Sequence, residues 1–243
     1  MRTLGALVLF TLALGAGGCS IAEDPPSPTK RKPLKVAHAM GERRVPYLSE
    51  RPATIDPAAL EAALALRVRP AAASGPRRDG SAPAYLGSLA GIELVGPPER
   101  VDLAALARID PDVIIANKRP HARIFKRLDA IAPTVMSGVP LSEWKADLRF
   151  FGEALGRTDG AERLLIAYDS RVARVRDALA VAEPGQFRVP RSLTRELSPA
   201  FAGDVLEDLG LPVSAVAVSG RAGGIVSARR LLDALERSAG KAR

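Results

Sequence analysis

Residues 102–135 show the clearest alternation of hydrophobic and polar positions in the chain. Leu103, Leu106 and Ile109 are spaced as one face of a helix, and the proline two residues later ends that helix. The apolar run 113–115 follows, and such a run is typical of a parallel strand covered on both faces. The segment therefore predicts a helix, strand, helix, strand unit of an α/β protein.

Shorter patterns before this unit predict more of the same sheet. Residues 34–40, 53–56 and 70–73 are apolar enough to form short strands. The stretch 57–66 between the second and third predicts a helix, with a proline in its first turn and Asp56 as its N-cap.

A long helix is predicted from about Asp159 to Ala180. Its apolar face is marked by Leu164, Tyr168, Val172, Val175 and Leu179. At ~1.5 Å per residue this helix would be roughly 33 Å long, which is enough to connect two lobes. The alternative is a helix packed within a single domain.

The N-terminal residues have the layout of a secretory signal peptide. Arg2 precedes an uncharged apolar run over residues 4–14, which is shorter than the roughly 20 residues of a transmembrane helix. Small residues then lead to Cys19, as in a lipoprotein signal, so we expect residues 1–18 to be removed and Cys19 to be lipidated. The alternative is an ordinary secretory peptide with an incidental thiol. Residues 19–33, rich in proline and charge, predict a tether.

Composition favours a globular body with an anionic partner. Apolar residues make up 47% of the 243 residues, and the net charge is +8. Nucleic acid is not expected, because no zinc-finger spacing or aromatic RNA-binding stretch is present. An anionic small ligand or an anionic membrane surface fits the charge better. Catalysis is not expected either, since the sequence has no GxSxG, HExxH or P-loop motif, and an extracellular hydrolase is the weakest alternative.

Candidate ligand-binding residues follow the predicted strands. Lys118 and Arg119 come directly after the strand at 113–115, and ligands bind at the carboxyl ends of strands in open α/β sheets. A long loop after residue 73 carries further candidates. The candidates in this loop are Arg77, Arg78 and Tyr85. The guanidinium groups of the arginines and the ammonium group of Lys118 can donate hydrogen bonds to the anionic oxygens of a ligand.

Three other residues have less certain roles at this stage. Trp144 is a candidate near the mouth of the site, with the hydrophobic core as its alternative location. A site for a bare metal ion is not expected, because His38 and His121 are the only histidines and lie in different segments. We expect His121 to cap or pack against the following helix. Since Cys19 is the only cysteine, an intrachain disulfide and a thiolate metal cluster are excluded.

The stretches PDVIIANKRPH (111–121) and IAPTV (131–135) resemble the periplasmic binding proteins that deliver ferric siderophores, iron citrate or vitamin B12 to ABC importers. The resemblance covers most of the chain after the signal peptide. It implies a two-lobed α/β fold joined by a long helix. The parts it implies are an N-terminal lobe at 34–157, a connecting helix at 158–182 and a partial C-terminal lobe at 183–243.

The resemblance also implies a function, and the chain departs from the family's sequence at some positions. We expect a lipid-anchored substrate-binding protein that captures an anionic ferric siderophore outside the cytoplasmic membrane and passes it to a permease with its ATPase. No cofactor is expected. Two alternatives stay open. One is a secreted binding protein for a corrinoid or haem. The other is a truncated non-functional paralogue, because the second lobe is expected to be incomplete. The family has glycine where Arg67 stands, so we expect the helix at 57–66 to end without its usual cap.

Overall fold

The structure, a computed structural model, describes most of the chain after residue 31. Its central feature is a five-stranded parallel sheet in the order β5-β4-β3-β6-β7. The described residues are 32–75, 86–140, 143–180, 189–212, 214, 216–219 and 223–240. The strands of this sheet are β3 (Pro52–Thr54), β4 (Ala72–Ala73), β5 (Glu93–Leu94), β6 (Val113–Asn117) and β7 (Thr134–Ser137).

A separate antiparallel hairpin precedes the sheet. It consists of β1 (Leu34–His38) and β2 (Gly41–Val45), and it lies beside β7. The backbone N–H of Ala39 donates to Met136 O at 2.9 Å, which fixes the hairpin turn against the edge of the sheet.

Helices lie between strands from β3 onward and continue after β7. The helices are α1 (Pro57–Ala65), α2 (Leu103–Ile109), α3 (Lys118–His121), α4 (Phe125–Asp129), α5 (Trp144–Ala154), α6 (Thr158–Ala180), α7 (Arg191–Glu196), α8 (Pro199–Asp208) and α9 (Ile225–Gly240). The 3₁₀ turn Pro98–Arg100 lies between β5 and α2, and Ala122–Ile124 lies between α3 and α4. The helix, strand, helix, strand unit predicted for residues 102–135 is confirmed as α2, β6, the pair α3 and α4, and β7.

Both faces of the sheet are covered, because successive side chains of a strand point to opposite faces. Ile115 and Val135 belong to a cluster with residues of α1, α5, α6 and α9. Ile114 and Met136, their neighbours in the sequence, belong to a second cluster with residues of α2 and α4. The result is a three-layer α/β arrangement, and it explains why β6 is an unbroken apolar run.

Helix α1 begins as predicted and ends differently from the expectation. The Asp56 carboxylate accepts hydrogen bonds from Ala58 N at 2.9 Å and Ala59 N at 3.1 Å, so it is the N-cap. At the other end, Val68 N donates to Ala63 O at 2.8 Å, and Arg67 takes a left-handed φ of 59°. This is the hydrogen-bonding pattern of a glycine-type C-cap formed with arginine. The expectation that the helix lacks this cap was therefore wrong.

The long helix predicted over 159–180 is confirmed as α6, which buries Tyr168, Val172, Val175 and Leu179 along one face. Leu165 is buried on that face in place of the predicted Leu164, which is only partly buried. The partial C-terminal lobe was expected over residues 183–243. The described residues of that range that have regular structure are helical, and α8 and α9 share the core cluster of α1, α5 and α6. The division into two lobes stays a prediction.

A buried contact holds α9 on the first half of the chain. Glu61 on α1 is 1% exposed, and its carboxylate accepts from Ser227 N at 2.9 Å and from Ser227 Oγ at 2.7 Å. Gly224 lies so close to this carboxylate that a Cβ there would be 2.9 Å from a Glu61 oxygen. Glu61 thus supplies, from another helix, a capping acceptor for the N-terminus of α9.

Candidate functional site

The carboxyl edge of the sheet carries polar side chains at or just after its strands. Asp56 follows β3, Ser74 follows β4, Asn117 ends β6 and Ser137 ends β7. Asn117 and Ser137 are register partners in neighbouring strands. Because parallel strands present their carboxyl ends at one edge, the fold concentrates these side chains in the region where α/β proteins bind ligands.

Lys118 and Arg119 supply positive charge at this edge. The Asn117 side chain accepts from Arg119 N at 3.0 Å, and this bond sets the first turn of α3 directly after β6. Both cationic side chains are exposed, and within the described residues neither forms an ion pair. Both cations are therefore exposed at the carboxyl edge, and their role in ligand binding stays a prediction.

His121 fixes the position of α3 instead of reaching the surface. Its ring is fully buried, Nε2 lies 2.8 Å from Pro98 O, and Nδ1 lies 3.0 Å from Asn117 O. Burial lowers the pKa of His121, while the nearby Asp56 carboxylate opposes that shift. His121 packs in the interior as expected, but its ring nitrogens contact the backbone of Pro98 and Asn117, which precede it, and not the following helix.

A buried carboxylate lies beneath the same edge. Asp147, on α5, is 2% exposed and accepts a hydrogen bond from Ser137 Oγ at the end of β7. Burial raises the pKa of Asp147 to about 7, the Ser137 hydrogen bond opposes this, and the Asp56 charge adds to it. Burial also raises the pKa of Asp56. The edge thus combines exposed cations with two carboxyl groups whose pKa values burial raises, so that both ionise less readily than exposed carboxyl groups.

Three buried polar atoms near this edge have no hydrogen-bond partner among the described residues. They are Thr54 Oγ1 in β3, Ser74 Oγ after β4 and Asp147 Oδ2. Unsatisfied buried polar atoms are uncommon in folded proteins, and those that occur ask for an explanation. Their concentration at one edge of the sheet is consistent with a binding region.

Trp144 lies in the hydrophobic core and not at a mouth. It is 1% exposed, and its ring packs edge-on against Tyr168 with centroids 4.9 Å apart and against Phe201 at 5.9 Å. The candidate role near the mouth is wrong for Trp144, because packing of α5 against α6 and α8 encloses the indole. Its alternative location in the core is confirmed.

The remaining predicted site residues lie outside the described residues. These are Arg77, Arg78 and Tyr85, which follow β4 in the sequence, and Cys19 near the N-terminus. Their roles stay predictions. Gly75, the last described residue before Arg77, donates a hydrogen bond from its backbone N–H to Gly96 O at 3.1 Å.

A pocket of about 480 Å³ opens at the opposite, amino edge of the sheet. Its lining includes Arg51 before β3, Ala71 before β4, Ile92 before β5 and Arg108 on α2. The Arg51 guanidinium already donates to the carbonyl of Asp110 at 3.1 Å, at the end of α2. We place the candidate site at the carboxyl edge, because Lys118 and Arg119 lie there together with the unsatisfied polar atoms of Thr54, Ser74 and Asp147.

The described part of the chain contains no group of three or more His, Cys, Asp or Glu side chains arranged to hold a metal ion. It also contains no helix that is long and apolar enough to cross a membrane.

Sequence reasoning missed Asp147, Ser74 and Ser137. The rule that selected Lys118 and Arg119, a polar residue at a strand's carboxyl end, would also have selected the two serines. Asp147 had no such signal, because it lies on a helix and meets Ser137 only through the packing of α5 against β7.

Comparisons with known proteins identify relatives of this fold. A family model described as periplasmic binding protein matches residues 53–186, which is more than half of the 243 residues. The chain is 27% identical over 213 residues to the probable siderophore-binding lipoprotein YfiY of Bacillus subtilis, covering 85% of this chain and 66% of the relative. It is 30% identical over 173 residues to the achromobactin-binding periplasmic protein of Dickeya dadantii, covering 68% and 56%.

A solved structure shows the same fold. Staphylococcus aureus SirA, crystallised with staphyloferrin B, superposes with a TM-score of 0.61 at 24% identity, covering 74% of this chain and 64% of SirA. The chain therefore spans between just over half and about two thirds of the length of these three relatives.

Proposed function

Since the chain belongs to the periplasmic binding protein family, we propose that it binds an anionic ferric siderophore at the carboxyl edge of its parallel sheet. The observation that carries this proposal is the exposed pair Lys118 and Arg119, held at the end of β6 with no ion pair among the described residues. Relatives named for siderophore binding support the ligand class.

Electrostatics favour a negatively charged ligand at this edge. A pair of unit charges at ~4 Å is worth on the order of 4 kcal/mol at an effective dielectric of 20, before desolvation is subtracted. Burial favours the neutral forms of Asp56 and Asp147 beneath the edge, so it lessens their repulsion of an anion. Arg77, Arg78 and Tyr85 are proposed to complete the site from the loop after β4.

We propose that the protein acts outside the cytoplasm, attached to the membrane by lipid on Cys19. There it would pass the iron complex to an ABC permease driven by its ATPase, and it would catalyse no reaction itself. The signal-like residues 1–18 support export, and a relative described as a lipoprotein supports the anchor. Acylation by two chains gives stable attachment, whereas one chain gives only marginal binding.

Titration with ferric siderophores tests the ligand class. Isothermal titration calorimetry follows binding while ferric staphyloferrin B, ferric achromobactin, a ferric hydroxamate and a ferric catecholate are added. Haem and a corrinoid serve as competitors from the alternative ligand classes. Saturable binding of at least one ferric siderophore, and not of haem or corrinoid, is expected. Binding of none of the ferric complexes would contradict the proposal.

Charge removal tests the location of the site. The double variant Lys118→Gln and Arg119→Gln should weaken binding tenfold or more, on the order of 1.4 kcal/mol. The matched control is Arg163→Gln with Arg174→Gln, which removes the same charge from exposed positions of α6. Equal affinity of the two double variants at low salt would place the ligand elsewhere.

A further inference from the structure

Basic side chains continue beyond the ligand edge along the outer surface of α3 and α4. Arg119, Arg123, Lys126 and Arg127 are all exposed, and we call these four residues the basic ridge. They are spaced at i, i+4, i+7 and i+8, which places them near one face of a nearly continuous helical segment. The opposite face is buried through His121 and Leu128.

The positive charge of the basic ridge is not balanced by acidic side chains close to it in the sequence. The one carboxylate between residues 117 and 131 is Asp129, and it is bound by Arg43 of the hairpin, whose Nε lies 2.7 Å from Asp129 Oδ1. Asp129 also accepts from Thr134 N at 3.3 Å. Within the described residues no ridge side chain forms an ion pair. The ridge therefore presents concentrated positive charge to its surroundings.

The ridge has charge without an apolar centre. The large hydrophobic side chains that are exposed in the described part of the chain are Met40, Leu94 and Ile166, and all lie outside α3 and α4. Cores of protein interfaces are apolar and depleted of charged residues. Long flexible cations without an apolar anchor fit a layer of anionic lipid headgroups, where each contributes about 1 kcal/mol.

We propose that the basic ridge docks on an anionic membrane surface and so orients the body against the bilayer. This goes beyond the proposed ligand binding, and it concerns a different set of side chains except for Arg119. A lipid anchor would hold the chain near the membrane without setting its orientation, whereas the ridge selects one face.

Partitioning onto vesicles tests the proposal. The chain from residue 19 onward, carrying Cys19→Ala, is mixed with vesicles of phosphatidylcholine alone or with about 30% phosphatidylglycerol, and the ratio of the two partition coefficients is measured, since anionic lipid attracts basic residues. Replacement of Arg123, Lys126 and Arg127 by Gln should lower this ratio roughly a hundredfold, from about fivefold per basic side chain. Salt at about 0.5 M should remove the preference, because it screens exposed charges.

The matched control removes three exposed arginines elsewhere, Arg157, Arg163 and Arg174, by the same change to Gln. Its ratio should stay close to that of the unchanged ridge. Equal loss in both triple variants would show that net charge alone drives partitioning, which overturns the proposal. No preference for phosphatidylglycerol at low salt would also overturn it, and an acidic protein surface would then be the partner to test. Far-ultraviolet circular dichroism and ferric siderophore affinity should be unchanged in the ridge variant, which shows that its fold is intact.

Discussion

Asp147→Asn should change how the stability of the protein depends on pH. In the folded state burial raises the pKa of Asp147 from 3.8 to about 7. Between these two pH values the unfolded chain has lost the Asp147 proton while the folded chain keeps it. The unfolded state then binds fewer protons, so the free energy of unfolding falls as pH rises from about 4 to about 7. Above that range the contribution of Asp147 is constant.

The size of the effect follows from the shift. At 1.36 kcal/mol per pKa unit, a rise from 3.8 to about 7 costs the wild type about 4 kcal/mol at high pH. About 2.5 kcal/mol of this falls between pH 5 and pH 8. Because Asp147 is only 2% exposed, little of it is lost to solvent screening. The Asn side chain can still accept from Ser137 Oγ, and any cost of its buried amide is the same at every pH.

Urea unfolding at a series of pH values measures the difference. The free energy of unfolding of Asp147→Asn minus that of the wild type should rise by about 2.5 kcal/mol from pH 5 to pH 8. Asp177→Asn is the control, since it removes an exposed carboxylate of α6 and should give a nearly constant difference. Parallel curves for Asp147→Asn and the wild type would refute the reasoning, because they would mean that Asp147 is ionised in the folded protein.

Two other predictions concern the cap of α1 and the membrane anchor. Arg67→Gly should raise the free energy of unfolding by about 1 kcal/mol, because glycine takes the left-handed conformation without the steric cost of a Cβ; Arg67→Ala should give no gain, and an equal gain from both would contradict this explanation. Cys19→Ala should abolish incorporation of labelled fatty acid and release the protein from membranes washed at about 0.5 M salt, which screens binding through the basic ridge; unchanged association of the variant with the washed membranes would exclude lipidation as the anchor.

Local patterns in the sequence determined the elements and one part of the site. The helical spacing of apolar residues predicted α2 and α6, and a continuous apolar run predicted β6. Each of these patterns involves residues of one element only. The N-cap at Asp56 was predictable for the same reason, since its acceptor and donors lie within three residues. Lys118 and Arg119 followed from the general rule that ligands bind at the carboxyl ends of parallel strands.

Tertiary packing decided what depends on residues far apart in the sequence. Trp144 is enclosed by α6 and α8, and Glu61 caps α9 across 166 positions. Arg67 adopts a conformation that favours glycine, because Val68 N reaches Ala63 O only when the chain turns there. The raised pKa of Asp147 likewise arises from the helices and strands that bury it. A sequence pattern records which side chains are apolar or charged, whereas burial is set by the elements that the chain brings together.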